Sequence, residues 1–124
     1  MLAKNRVLAV AGFLFVIALL FYVPVATAHA VLLEATPAAN TSVKTPDVAI
    51  RLRYNVRIEA GRSRLSLLLP DKSVKSLAIA EQPSPDTLST RATGLAPGAY
   101  VLRWQVLASD GHITRGEVPF TVVP

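Results

Sequence analysis

The chain has 124 residues, with thirteen Lys and Arg against eight Asp and Glu, two histidines and no cysteine. A single domain is the natural organisation at this length. The lack of cysteine excludes a disulfide framework, a thiolate nucleophile and thiolate metal ligation. Arg51, Arg53, Arg57, Arg62 and Arg64 are scattered among apolar residues. That is the pattern of a solvated strand face and argues against a nucleic-acid surface.

The first residues differ from the rest. Lys4 and Arg6 form a short positive region, an uncharged apolar run extends from Val7 to Val25, and Ala26-Thr27-Ala28 follows. A basic start, an apolar stretch and a small-x-small site make a secretory signal, so the protein is expected to be exported. About 20 apolar residues can also span a bilayer, so an uncleaved anchor tethering the domain to the membrane is the competing reading. Pro24 and the small residues at 26–28 favour cleavage after Ala28. The domain is then 29–124 and begins with His29. It keeps eleven of the thirteen basic residues and all eight acidic ones, and the only methionine, Met1, is lost. A chain of that size supports one economical core.

Beyond residue 29 the pattern is one of strands and turns. Val48, Ile50, Leu52 and Tyr54 alternate with Ala49, Arg51 and Arg53, predicting a half-buried strand. Leu65, Leu67 and Leu69 predict a second, ended by Pro70-Asp71, and Ser76 to Ala80 a weaker third. Gln82 to Asp86 is a polar, proline-stiffened loop. Leu95-Ala96-Pro97-Gly98 is a turn. Tyr100, Leu102, Trp104 and Val106 then share one strand face, with Arg103 and Gln105 on the other. Val118, Phe120 and Val122 form the last strand. Short alternating strands with Gly/Pro turns and no helical period predict an all-β sandwich. Trp104, Tyr100 and Phe120 are core residues, with Trp104 expected to bury the most area and not to serve as a ligand platform.

Chemistry is concentrated in His29 and His112. His112 lies in ASDGHITRG, between the two best strand candidates. Asp110-Gly111 is a turn dipeptide, and taken alone this stretch reads as a plain hairpin turn with an exposed histidine. The two histidines together suggest more. An N-terminal histidine offers its α-amine and its ring Nδ1 to one metal, closing a six-membered chelate, and the amine, with an ordinary pKa of ~7.7, deprotonates readily under a metal's pull. Asp110 and His112, two apart around Gly111, can point to the same side of a bent loop. Three nitrogens and one oxygen suit tetragonal Cu(II). Zn(II) prefers a tetrahedron, and Cu(I) prefers sulfur ligands that the processed chain lacks. Cleavage would then create a ligand that no internal residue supplies.

The quoted residues resemble the CopC-type periplasmic copper-binding proteins. The likeness runs through His29-Ala30-Val31-Leu32 with Thr36-Pro37-Ala38, Leu95-Ala96-Pro97-Gly98-Ala99-Tyr100, Val106 with Asp110-Gly111-His112, and Gly116 with Phe120-Thr121-Val122. It implies an Ig-like antiparallel Greek-key β-sandwich of about seven strands that binds one Cu(II) per chain. The ligands would be the amine and ring of His29, the carboxylate of Asp110 and the ring of His112. It implies a monomer in copper homeostasis or resistance, delivering to or working with a CopD-type inner-membrane protein. Two departures stand out. No methionine is left for a Met-rich Cu(I) site, and Asn55 stands where an acidic residue is expected near the copper. An amide there could hydrogen-bond a copper-bound water or ligand but adds no charge.

Two other functions compete. Polysaccharide monooxygenases also use an N-terminal and a second histidine, but on a larger domain with open axial positions, whereas Asp110 is available here to fill the coordination sphere. A plain interaction sandwich would carry incidental histidines. Ser109, Asp110 and His112 are neighbours in one loop and do not make a hydrolytic triad. The expectation is a binding protein and not an enzyme.

Overall fold

The computed structural model describes residues 29–124; the expected signal, residues 1–28, lies outside them. The strand with the clearest alternation organises the smaller sheet. Strand β3 (Val48–Tyr54) pairs antiparallel with β1 (Leu32–Thr36) on one side and β6 (Thr87–Ala92) on the other. The larger sheet runs in the order β2 (Thr41–Val43), β8 (Ile113–Val122), β7 (Gly98–Leu107), β4 (Arg64–Leu68) and β5 (Val74–Leu77). One 3-10 turn, Ala60–Arg62, lies where the chain crosses between the sheets.

The apolar face of each strand points into one shared layer. Val48, Ile50, Leu52 and Tyr54 meet Leu65, Leu67, Tyr100, Leu102, Trp104, Val106, Val118, Phe120 and Val122 there, each of them buried. Fully burying a side chain such as Leu52 or Leu102 contributes about 1.5–3 kcal/mol, and this layer stands in for absent disulfides. Tyr100 stacks on Phe120 at 5.7 Å between ring centroids. Its hydroxyl donates to the carbonyl of Ala96 at 2.7 Å, closing the Leu95–Gly98 turn in the manner of the tyrosine corner of Ig-like sandwiches.

Trp104 is buried as expected and meets Tyr54 edge to face at 5.3 Å. It is not the most enclosed large side chain. Tyr54 is 1% exposed and Trp104 8%, because one edge of the indole reaches a shallow depression of about 490 Å³ on the outer side of the larger sheet, rimmed by Arg64, Arg103 and Arg115. Among the described residues, neither the Tyr54 hydroxyl nor the indole Nε1 has a hydrogen-bond partner. Burial pushes the Tyr54 phenol well above its ordinary pKa, so it stays neutral.

The expected all-β sandwich is present, with eight strands against the expected about seven. Two details differ. The sandwich is not wholly antiparallel: Thr41–Val43 run parallel to Phe120–Val122 as an edge. The weak strand expected over 76–80 lies at Val74–Leu77. A tight turn sets its register, with Lys72 at φ 72° and the Leu69 N–H donating to Ser73 O at 2.9 Å.

Gly116 is required by packing. A Cβ at this position would lie 2.1 Å from Trp104 Cζ2. Gly116→Ala should therefore force the indole from its rotamer and cost about 1–3 kcal/mol, read as a lower midpoint in denaturant at unchanged slope.

Candidate metal site

Strands β7 and β8 pair over ten positions, from Gly98–Val122 to Leu107–Ile113, so the loop joining them leaves a stiff base. Ala108 N–H donates to His112 O and Gly111 N–H to Ala108 O, both at 2.9 Å. Gly111 takes φ +88°, a left-handed conformation that a glycine adopts without steric penalty. The Asp110 carboxylate folds back over this turn. Its Oδ1 accepts the His112 backbone N–H at 3.0 Å, and its Oδ2 lies 3.1 Å from His112 Nδ1.

A second contact system fixes the loop to the rest of the sandwich. Ser109 N–H donates to Arg57 O at 3.1 Å, Glu59 N–H donates to Leu107 O at 2.9 Å, and Ile58 bridges Ala108. Ser63 Oγ accepts the Leu107 N–H and donates to Glu59 O. The side-chain amide of Gln82 donates to Ile58 O at 3.1 Å, which ties down the other side of this segment.

His29 reaches the same place from the other sheet. It precedes β1, and Ala30 beside it is 3% exposed, so the chain is seated here. Asn55, the residue after β3, holds it. Asn55 Oδ1 accepts the Val31 N–H at 2.7 Å, Asn55 Nδ2 donates to His29 O at 3.3 Å, and the Asn55 backbone N–H donates to Val31 O at 3.1 Å. The two imidazoles meet edge to face, with centroids 5.0 Å apart and planes at 68°.

The structure thus brings together all three residues singled out in the sequence. An ion about 2 Å from one nitrogen on each ring can bridge centroids at this spacing. Among the described residues no group of three His, Asp or Glu side chains is closed around a common point. The reason lies in Asp110: both its oxygens face His112, so its carboxylate now orients the ring. A carboxylate at Nδ1 keeps the proton there and leaves the lone pair of Nε2 for a ligand, the usual carboxylate–histidine arrangement of metal sites. Direct ligation by Asp110 requires its carboxylate to leave His112 Nδ1.

Asn55, standing where an acidic residue was expected, binds the backbone of residues 29 and 31 through its side chain. The residues at 57–59 that anchor the histidine loop have no side-chain signature, because the contacts are made by their backbone. For Asn55 the available signal was position: a donor–acceptor side chain directly after an alternating strand, where the neighbouring strand's backbone needs partners.

With this geometry in view, comparisons place the chain among known proteins. Residues 32–123 match the model of the CopC domain. Protein YobA of Escherichia coli strain K12 is 34% identical over 102 residues, covering 80% of this chain and 82% of YobA. The crystal structure of CopC from Methylosinus trichosporium OB3b superposes with a TM-score of 0.73 at 34% identity, over 77% of this chain and 95% of that one. PcoC from Escherichia coli, described as a methionine-rich copper resistance protein, gives a TM-score of 0.64 at 25% identity, over 77% of this chain and all of that one (100%).

Asp110 ionises below the ordinary carboxylate range. The His112 backbone N–H is the main cause, aided by the His112 ring and, more weakly, by the charge of His29. A lowered folded pKa stabilises the fold above the unfolded value of ~3.9, and that contribution is lost as pH falls through the folded value. In metal-free protein the Asp110 carboxyl carbon should titrate below ~3.9 by NMR. Asp110→Asn should lower stability at neutral pH and leave it unchanged once the wild-type carboxyl is protonated.

Proposed function

The chain belongs to the CopC family, and we propose that it is an exported protein that binds one Cu(II) ion through the amine and ring of His29, the ring of His112 and the carboxylate of Asp110. The observation that carries this reading is the approach of the two imidazoles to 5.0 Å, from the first residue of the domain and from a loop of the opposite sheet. Nothing in the packing of the sandwich requires two exposed histidines to meet there.

The donor set favours the ion. Nitrogen and carboxylate donors suit divalent copper, and among first-row divalent ions copper binds such ligands most tightly. Soft Cu(I) sites use thiolate or thioether sulfur. PcoC is described as methionine-rich, whereas this chain has no cysteine and no methionine beyond Met1. A sulfur site therefore cannot form within the domain, and the N/O site is the one its residues support.

Each residue has a distinct task. His29 closes a chelate once cleavage after Ala28 frees its amine, so the precursor binds more weakly than the exported form. His112 presents Nε2 while Asp110 fixes the tautomer. Asp110 also supplies a negative charge beside His112, and becomes a ligand by giving up its contact with Nδ1 of that ring. Copper is cargo here, held by a monomer in the periplasm for homeostasis or resistance. A CopD-type inner-membrane protein is the expected recipient or source. The chain is read as a binding protein and not as an enzyme.

The first experiment is a native mass spectrum of the protein exported with residues 1–28 attached, with and without one equivalent of Cu(II). The expected species begins at His29 and carries one copper. At free copper 100 times the Kd, stability should rise by about 2.7 kcal/mol. Affinity should fall as pH is lowered, because the imidazoles and amine must shed protons to bind. A processed chain that binds Cu(II) no more tightly than a His29→Ala, His112→Ala double variant would overturn the reading.

A further inference from the structure

We propose that Asn55 is the positioning residue that holds His29 beside His112, and that its amide, rather than a carboxylate, is needed for this. For copper affinity the inference rests on the reading above. For the placement of the histidine it stands alone.

Three successive peptide planes at the start of the domain each make one hydrogen bond to Asn55. The plane of residues 29–30 offers the His29 carbonyl to Nδ2, that of 30–31 the Val31 N–H to Oδ1, and that of 31–32 the Val31 carbonyl to the Asn55 N–H. The first residue of a chain has no preceding peptide to restrain it. Once its carbonyl is fixed, only the torsion about Cα–C and the side-chain torsions remain to place amine and ring. A terminus is otherwise among the most mobile parts of a domain.

The position of Asn55 extends the effect to the other histidine. Two residues on, Arg57 O accepts the Ser109 N–H, and Ile58 bridges Ala108. One short segment therefore grips the strand that carries His29 and the loop that carries His112, and it fixes their separation. The chemistry of the side chain is selective. A carboxylate could accept from Val31 N–H, but it has no donor for the His29 carbonyl and would repel it. Asn55 thus exchanges a charge near the metal for a fixed terminus.

The test compares exported, processed wild type with Asn55→Ala and Asn55→Asp. In metal-free protein, the ring-to-ring NOE between His29 and His112 and the exchange protection of the Val31 amide are read by NMR. Asn55→Ala should lose both, while protection of Leu102 and Val106 in the core is retained. Asn55→Asp keeps an acceptor for Val31 N–H and should lose the ring contact alone. The Kd for Cu(II) should rise at least ~10-fold in Asn55→Ala, the scale of losing an outer-shell partner, with altered EPR hyperfine splitting. A merely structural role would lower the melting temperature and leave the Kd and EPR spectrum unchanged. A wild-type ring contact in both variants overturns the proposal. Should wild type itself take up no copper, the metal reading fails, and the NOE and exchange data still decide the role of Asn55. If Asn55→Ala does not fold, Asn55→Asp decides it.

Discussion

The arrangement around the two histidines depends on five residues, Asn55 to Glu59, at the point where β3 ends and the chain leaves one sheet for the other. A sandwich has no covalent link between its layers here, and the ends of its strands are where the layers are least restrained. This segment spans the gap with hydrogen bonds in both directions: to residues 29–31 beside the smaller sheet, and to residues 107–109 in the larger one. Most are backbone to backbone, so they depend on the path of the chain more than on its side chains. Asn55 is the exception, supplying two bonds that the backbone cannot make.

Support for the other half of the site comes from length. Ten paired positions in β7 and β8 make a rigid ribbon, and the loop at its end inherits that rigidity. The Asp110 carboxylate then fixes a single ring by engaging both its backbone N–H and its Nδ1. Sites on regular elements with locked rotamers hold their geometry better than sites on free loops. Here a loop gains much of that quality by being short, glycine-turned and tied at its base.

Legibility in the sequence followed the physics of burial. Strands β3, β4, β7 and β8 have one face in the core and one in water, and their alternation was plain. Strand β6 was hidden because its inner face, Leu88, Thr90 and Ala92, includes a polar residue, and Thr87 is buried on the opposite face, so no clean alternation remains. Strand β2 has three residues, all partly or fully exposed, and its parallel partner lies at the far end of the chain. Strand β1 has a bulge between Leu32 and Glu34 that breaks the period of two. Asp110 and His112 were readable from a local motif, and His29 from the cleavage pattern before it. The orienting role of Asp110 and the grip of Asn55 were not, because they depend on contacts between distant segments that no spacing encodes.

The parallel edge pair has a consequence for how the molecule comes into being. Residues 41–43 dock against 120–122, so one of the first stretches of the domain waits for the last. Contacts so distant in sequence are the slow ones to form. A chain that emerges amino end first, as in synthesis, would therefore stay open until its final residues appeared. The loop bearing His112 would gain its rigid base only as β8 paired. Until then His29 would have nothing to set against it, so the histidine pair would be among the last features of the fold to form.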